Sequence, residues 1–162
     1  MQKIIFSKNI TAELDALCDQ LAADRVFLLT DVTTEQLCRP LVSECKALLH
    51  ADSIVIGATD VNKTLDTLSQ VWTALSSGKA SRQSLLINLG GGMVTDLGGF
   101  AAATFKRGIR FVNIPTTLLA MVDAAVGGKT GINFNGLKNE IGAFKEAEAV
   151  IIDTEFLRTL DD

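Results

Sequence analysis

Short apolar runs alternate along this chain with segments in which apolar residues recur at helical spacing. The runs at residues 26–29 and 85–89 contain no alternating polar positions, which is typical of strands buried on both faces. Between such runs, Leu14, Leu17 and Leu21 recur at i, i+3 and i+7, which is helical spacing. The alternation predicts a doubly wound, mainly parallel α/β sheet with helices on its faces. In such a sheet, ligands bind beyond the carboxyl ends of the strands.

The same patterns place the individual elements. We predict strands at 4–6, 26–29, 54–56 and 85–89 and a further strand that ends at 114, and helices over 14–21, 37–48 and 65–75. Asn9 or Thr11 is the expected cap of the first helix. Residues 31–34 are expected to form a turn, and Thr33 with Gln36 is the expected capping box of the second helix. Pro40 is expected to bend that second helix.

Composition indicates one compact unit. The 162 residues are 48% hydrophobic and 21% charged, with a mean hydropathy of +0.30. These values provide enough apolar side chains to fill one substantial core. We therefore interpret residues 1–162 as a single α/β domain.

Charge, hydropathy and cysteine content argue against several classes of partner. The net charge of −4 is spread without runs of one sign, so neither nucleic acid nor an anionic membrane is expected as a partner. No stretch approaches the ~18 apolar residues of a membrane span, and no signal-peptide core follows Met1, which predicts a cytoplasmic protein. Three widely spaced cysteines and one histidine predict neither a disulfide framework nor a metal site within the chain.

The segment GGGMVTDLGG at residues 90–99 follows a predicted buried strand and precedes an alanine-rich apolar helix. Glycines let backbone N–H groups approach a pyrophosphate, and a helix N-terminus adds the positive end of its dipole. However, Thr95 stands where the dinucleotide fingerprint G-x-G-x-x-G has its third glycine. The segment alone leaves open a phosphate site or a tight turn without a ligand. Its spacing favours Asp96 as a helix cap rather than a ligand group.

Two later segments carry polar groups that could bind a ligand. Thr116 and Thr117 follow Pro115 at the end of an apolar strand, where a capping role is favoured over ligand binding. The segment DAAVGGKT at residues 123–130 ends like a P-loop, but Asp123 occupies the place of the first P-loop glycine, which excludes that assignment.

Basic residues outnumber acidic ones between positions 106 and 138. This stretch contains Lys106, Arg107, Arg110, Lys129 and Lys138, against the single acid Asp123. In a chain of net charge −4, this local excess indicates a small anionic ligand. Composition alone favours the alternative of an ordinary solvated surface.

Taken in order, these segments resemble the nucleotide-binding half of the 3-dehydroquinate synthases, a family of sugar phosphate cyclases. The resemblance rests on residues 90–144, which contain a glycine triplet, Asp, R-G, P-T-T-L-L, V-D, V-G-G-K-T, K-N and I-G-A-F in that order. Weaker similarity extends from about residue 26 to residue 160. The resemblance implies a Rossmann-like NAD-binding domain from an enzyme that converts 3-deoxy-arabino-heptulosonate 7-phosphate to 3-dehydroquinate and phosphate. It also implies catalytic NAD, a divalent metal (zinc or cobalt) and a homodimer.

The resemblance further implies roles for individual residues. The implied cofactor-binding residues are Asp31, Asp60, Lys63, Gly91, Gly92, Met93, Thr95, Asp96, Thr116, Thr117, Leu119, Lys129, Lys138, Phe156 and Thr159. The implied catalytic and substrate-pocket residues are Asp123, Lys129, Lys138, Asn139 and Arg107. Among these, Arg107 matches an arginine that reaches the phosphate of a substrate held by the other subunit.

The sequence departs from the family pattern at three places. Asp60 and Lys63 stand in D-V-N-K where the family has Glu-x-x-Lys, and Thr95 replaces a glycine. Residues 135–137 read N-G-L where the family has a Pro-Leu-Gly type of sequence.

The metal ligands implied by the resemblance belong to a helical C-terminal domain, which we expect to lie outside these residues. Three interpretations follow for the chain. It is the N-terminal domain of a 3-dehydroquinate synthase, the corresponding domain of another sugar phosphate cyclase, or a free-standing, non-catalytic NAD-binding module.

Overall fold

The computed structural model describes residues 2–160, which form a six-stranded sheet and a separate two-stranded hairpin. The strands are Lys3–Phe6 (β1), Val26–Asp31 (β2), Asp52–Ile56 (β3), Leu85–Gly90 (β4), Arg110–Pro115 (β5), Lys129–Phe134 (β6), Leu137–Phe144 (β7) and Ala149–Ile152 (β8). The α-helices are Ile10–Leu21 (α1), Val32–Leu37 (α2), Leu65–Ser77 (α3) and Gly92–Thr104 (α4). None of the helices within residues 2–160 is long and apolar enough to cross a membrane.

The large sheet is parallel throughout, with the strand order β1-β8-β5-β4-β2-β3. From β2 the chain moves outward to β3 and then returns to the other side of β2 as β4. The direction of winding therefore reverses between β2 and β4, and such a switch point opens a crevice at the carboxyl ends of the two strands. Asp31 ends β2 and Gly90 ends β4, so both lie at this crevice. The predicted doubly wound, mainly parallel α/β fold is confirmed.

Two apolar cores cover the two faces of the sheet. Successive β4 residues alternate between them, since Leu86 lies in one core and Leu85 and Ile87 lie in the other. Helices α3 and α4 cover the first face, and α1 covers the second. Gly98 lets α4 approach β4 closely, because a Cβ built on it would lie 2.0 Å from Oδ1 of Asn88. Burial of strands on both faces explains their uninterrupted apolar sequences.

The prediction of one helix over residues 37–48 is wrong. Helix α2 ends at Leu37 and is followed by two 3₁₀ turns, Arg39–Val42 and Lys46–Leu48. Pro40 lacks the N–H that would continue the helix, and it lies instead in the first turn of a new 3₁₀ segment.

The capping box of α2 also differs from the predicted pair of Thr33 and Gln36. Asp31 caps the helix by accepting from the N–H of Thr34, and the Thr34 hydroxyl accepts from the N–H of Asp31. The predicted turn at residues 31–34 is therefore the first turn of α2. Asn9 caps α1 as one of the two predicted alternatives.

The hairpin of β6 and β7 was not among the predicted elements. Asn135 and Gly136 join its strands, and both have positive φ, of 54° and 77°. This conformation is typical of a two-residue hairpin turn, for which Asn-Gly is a preferred sequence. The two strands of the hairpin pack against α4 and do not join the large sheet.

Candidate functional site

Helix α4 begins directly at the end of β4 and has no side chain capping its N-terminus. Its cap is Gly91, while the Thr116 N–H donates to the Gly90 carbonyl at 2.9 Å and draws the two strand ends together. A Cβ built on Gly91 would lie 3.2 Å from Cγ2 of Thr117. Glycine therefore keeps the space between these turns open. Uncapped first-turn N–H groups at the positive end of a helix dipole are well suited to bind an anion.

A groove of about 230 Å³ occupies the crevice between β2 and β4, and we call it the switch-point groove. It is lined by five residues to which the family resemblance implied a cofactor-binding role, namely Asp31, Gly91, Thr116, Thr117 and Thr159. Oδ1 of Asp31 already accepts from two backbone N–H groups at the start of α2. The carboxylate is thus held at the strand end, where an acid can accept ribose hydroxyl groups.

Lys63, Asp96 and Asn139 form a polar cluster beside the second turn of α4. Lys63 Nζ donates to Asp96 Oδ2 at 2.7 Å and to Asn139 Oδ1 at 2.5 Å. Only 4% of the Lys63 side chain is exposed, so its ammonium is held by these partners rather than by bulk water. Asn139 has a left-handed φ of 53° at an irregular point of the hairpin, which aims its side chain at the cluster.

The expectation that Asp96 caps the helix is wrong, because α4 begins at Gly92 and Asp96 lies within it. Burial raises the pKa of the Asp96 carboxyl above its ordinary value, and the Lys63 ammonium partly opposes this effect. The charges of Asp60 and Asp123 raise this pKa further. The cluster therefore combines a partly buried acid with a single buried cation.

A second groove, of about 620 Å³, lies between α4, the π-helical turn Ala120–Ala124 and the hairpin, and we call it the hairpin groove. Asp96, Asp123, Lys129 and Asn139 line it together. Because Gly91 lines the switch-point groove and Asp96 lies about one turn further along α4, the start of this helix separates the two grooves. This arrangement provides two adjacent compartments, one able to hold phosphate and one with exposed charged groups.

Two of the implied site residues lie on a third groove instead. Asp60 and Lys138 line a depression between residues 60–66 and the hairpin tip. Asp60 Oδ2 accepts from Asn133 Nδ2 at 2.9 Å, which ties this acid to the hairpin. The structure therefore separates Lys138 from Lys129, although both were implied for one pocket.

Other implied residues lie away from all of these grooves. Phe156 is fully buried in the core on the α1 face, so its ring cannot touch a ligand without rearrangement. Leu119 is 68% exposed. Arg107 lies at the carboxyl end of α4, opposite to the glycine turn.

Met93 and Thr95 lie in the first turns of α4 but point into the protein. Met93 packs against the core, and Thr95 is buried with its hydroxyl near the carbonyls of Gly91 and Gly92, at 3.3 Å each. Thr95 therefore bonds to the backbone of its own helix, a role that a glycine could not fill. Gly92, which precedes both residues, faces Ala124, since a Cβ built on Gly92 would lie 3.3 Å from the Ala124 methyl group.

Sequence reasoning missed several residues that line the grooves. Thr33, Thr34 and Cys38 line the switch-point groove, and Thr130 lines the hairpin groove. The position of Thr33 and Thr34 directly after a buried strand was a usable signal, because strand carboxyl ends carry the ligand site in this fold. Within residues 2–160, no group of three or more His, Cys, Asp or Glu side chains could hold a metal ion.

A doubly wound parallel sheet with a glycine turn and an acid at its switch point defines a nucleotide-binding α/β domain. The family model described as 3-dehydroquinate synthase N-terminal matches residues 53–162. The chain belongs to this family.

Curated relatives of the chain carry the same description. It is 58% identical over 160 residues to the 3-dehydroquinate synthase of Parabacteroides distasonis, a match that covers 99% of this chain and 45% of the relative. It is 40% identical to the 3-dehydroquinate synthase of Saccharophagus degradans, covering 98% of this chain and 44% of that protein. The chain thus spans less than half the length of these relatives.

Solved structures share the fold. The 2-epi-5-epi-valiolone synthase ValA of Streptomyces hygroscopicus, solved with NAD⁺ and Zn²⁺, superposes with a TM-score of 0.87 at 32% identity, covering 99% of this chain and 45% of that one. A maleylacetate reductase of Agrobacterium tumefaciens superposes with a TM-score of 0.77 at 23% identity, covering 99% of this chain and 43% of that one. The second likeness concerns the fold alone.

Proposed function

We propose that this chain is the nucleotide-binding part of a 3-dehydroquinate synthase. In this proposal the whole enzyme converts 3-deoxy-arabino-heptulosonate 7-phosphate to 3-dehydroquinate and phosphate, with catalytic NAD. The observation that carries the proposal is the switch-point groove, where Asp31 and the uncapped start of α4 meet. Membership of the family and the 58% identical relative support the choice of reaction.

The groups in the switch-point groove fit a dinucleotide. First-turn N–H groups of α4 would hold the pyrophosphate, and Gly91 leaves the space that it needs. Asp31 would accept hydroxyl groups of the adenosine ribose, while Thr116 and Thr117 bound the groove on the opposite side. Asp96, held by Lys63, would then face the nicotinamide end, where α4 borders the hairpin groove.

The hairpin groove would hold the sugar phosphate. Its exposed Lys129 provides a cation for an anionic substrate, and Asn139 and Asp123 provide polar groups for hydroxyls. When bound, NAD would supply a reversible hydride acceptor for a substrate alcohol. A divalent ion would supply Lewis acidity, and we place the protein ligands of that ion outside this chain. The residues described here bind and orient, and Lys63 Nζ is held between two acceptor oxygens.

The proposed enzyme is a cytoplasmic homodimer. The proposed dimer assigns a role to Arg107, although this residue lies far from the glycine turn of its own chain. In a dimer, Arg107 would reach the phosphate of a substrate bound by the second copy. Four of the implied cofactor-binding residues lie outside the switch-point groove and the hairpin groove, and their roles remain predictions: Asp60, Lys138, Leu119 and Phe156.

The test is phosphate release by the full-length protein that contains these residues. We expect turnover of the heptulosonate phosphate that depends on NAD and on zinc or cobalt. A protein that released no phosphate from this substrate but turned over another sugar phosphate would contradict the proposal.

A second candidate function is that of another sugar phosphate cyclase. The 32% identity to ValA over nearly the whole chain favours it as the alternative. A panel with heptulose and hexose phosphates beside the heptulosonate phosphate separates the two, because only the last carries a carboxylate. The third interpretation, a free-standing NAD-binding module, requires a natural reading frame without a metal-binding domain, which sequencing of the gene decides.

A further inference from the structure

The turn between α4 and β5 has an unusual backbone. Lys106 and Arg107 both adopt left-handed φ angles, of 49° and 67°, and Gly108 follows at 122°. Such angles cost free energy in a residue with a side chain, so two in succession persist only where neighbouring groups hold them. The groups that hold this turn therefore also set the direction in which Arg107 points.

Part of the support comes from the turn itself. The Gly108 N–H donates to the Phe105 carbonyl at 2.8 Å, and the Ile109 N–H donates to the Ala102 carbonyl at 2.7 Å. These two bonds close the chain onto the end of α4. Neither of them involves the backbone carbonyl of Ile109.

The Ile109 carbonyl is bonded by a side chain that follows the hairpin. Lys145 Nζ donates to it at 3.1 Å, and the same nitrogen lies 2.8 Å from the position that a Cβ on Gly108 would take. The ammonium group thus fills the space that glycine leaves open. Burial lowers the pKa of Lys145, which is consistent with an ammonium partly withdrawn from water.

Lys145 is also fixed at its backbone. Its N–H donates to the Gly128 carbonyl at 2.9 Å, directly before Lys129 in the hairpin groove. One residue therefore joins the turn that carries Arg107 to the edge of the groove proposed for the substrate.

We propose that Lys145 is a positioning residue that holds the turn at residues 105–109 and thereby presents Arg107. The proposal rests on the proposed function, in which Arg107 binds the phosphate of a substrate held by a second copy. Without the Lys145 ammonium, the Ile109 carbonyl loses its donor and the space beside Gly108 opens. The turn then relaxes from its left-handed angles, and Arg107 no longer points in one direction.

The first test measures kinetics in the full-length protein. We expect Lys145→Met to raise KM for the heptulosonate phosphate about tenfold, with the KM for NAD unchanged. Lys145→Arg, which keeps a donor, is expected to restore most of the loss. Lys79→Met is the control for the loss of a lysine, because Lys79 is exposed and lies in a different turn that follows a helix, where its φ of 61° is left-handed like those of Lys106 and Arg107.

A double-mutant cycle separates positioning from general damage. If Lys145 acts through Arg107, adding Lys145→Met to Arg107→Ala produces no further rise in KM. Effects that multiply, or a Lys145→Met enzyme with the KM of the Lys79→Met control, would overturn the proposal.

Hydrogen exchange tests the turn independently of activity. We expect the Gly108 and Ile109 amides to exchange faster in Lys145→Met, while amides of β4 keep their protection. Unchanged protection at both amides would refute the proposal even in an active enzyme. A wild-type protein without phosphate release would instead overturn the proposed function, and exchange would still decide the role of Lys145.

Discussion

At the residue scale, the ion pair of buried Lys63 and partly buried Asp96 lies at the centre of the polar cluster. Removing the partner of a buried charge is costly, since the remaining charge is left without compensation. Asn139 shares the Lys63 ammonium with Asp96, so one lysine holds groups from α4 and from the hairpin. The cluster therefore links α4 to the hairpin through the Lys63 side chain.

The pH dependence of stability tests the Asp96 environment. The folded-state pKa of Asp96 lies above its ordinary value of 3.8, mainly because of burial. The folded state therefore binds this proton more tightly than the unfolded state, and the resulting stabilisation is complete below 3.8 and is lost as pH rises through the folded pKa. We expect the free energy of unfolding of the wild type, relative to that of Asp96→Asn, to fall as pH rises from 3.8 through the folded-state pKa of Asp96.

Urea denaturation of both proteins at a series of acidic pH values measures this difference. Asp19→Asn serves as the control, because Asp19 is an exposed acid on α1. A difference between wild type and Asp96→Asn that stayed constant with pH would contradict the assigned environment.

At the scale of elements, the contact between α4 and the sheet places the glycine turn. Gly98 and Gly99 are both fully enclosed, and a Cβ on Gly99 would lie 2.5 Å from Cγ2 of Thr130 in the hairpin. The helix can therefore lie close to β4 on one side and to β6 on the other. This double contact brings its N-terminus between the two grooves.

Replacing Gly98 with alanine tests this packing. The added methyl would meet Oδ1 of Asn88 and Cδ2 of Leu29, at 2.0 and 2.8 Å, so these buried side chains must move or the helix and the sheet must separate. We expect a loss of about 1–3 kcal/mol in the free energy of unfolding, measured by urea denaturation, together with weaker NAD binding.

Gly136→Ala is the comparison variant for Gly98→Ala. Gly136 has a φ of 77° and no atom within 4 Å of a built Cβ, so an alanine there costs free energy only through its backbone conformation. We expect a similar or smaller loss of stability there, with NAD affinity retained. Equal NAD binding by both variants would show that the position of α4 does not control the site.

At the scale of the whole molecule, several large apolar side chains face outward near the hairpin groove. Leu118, Val122 and Phe144 are 61%, 69% and 86% exposed. Asp123 and Phe144 line the same groove, so the exposed residues border the compartment proposed for the substrate. Apolar surface of this kind is typical of interfaces.

We expect the 162-residue chain, expressed alone, to bind NAD weakly, to self-associate and to release no phosphate. Its switch-point groove retains the proposed pyrophosphate contacts, but the hairpin groove is open on its outer side, and each ~1.4 kcal/mol of lost contact weakens binding about tenfold. Calorimetry with NAD and sedimentation velocity measure the first two properties.

Gly91→Ala identifies the binding site in the same experiment. Its backbone φ of −81° is one that alanine readily adopts, while the methyl would enter the switch-point groove, 3.2 Å from Cγ2 of Thr117. We expect NAD affinity to fall in this variant and to remain in Gly136→Ala. Undiminished affinity in Gly91→Ala would show that the pyrophosphate binds elsewhere, and metal-dependent phosphate release by the chain alone would contradict the expected inactivity.

The sequence by itself determined the fold class and the place of the glycine turn. Uninterrupted apolar runs and helical periods are local properties, because they follow from which neighbouring side chains must be buried. The hairpin turn was also encoded locally, since Asn135 and Gly136 favour the left-handed angles that it needs. Its strands, KTGINF and LKNEIGAF, contain no uninterrupted apolar run of the kind that predicts the other strands.

Tertiary structure alone decided which distant residues share a site. Lys63 is 33 positions from Asp96 and 76 from Asn139, so no local period could bring the three together. The same holds for the separation of Lys129 from Lys138, which the hairpin directs into different grooves. Burial, and not the order of residues, raises the pKa of Asp96. Side-chain charge and partners depend on what packs around each group, which is fixed only when both cores and the hairpin have assembled.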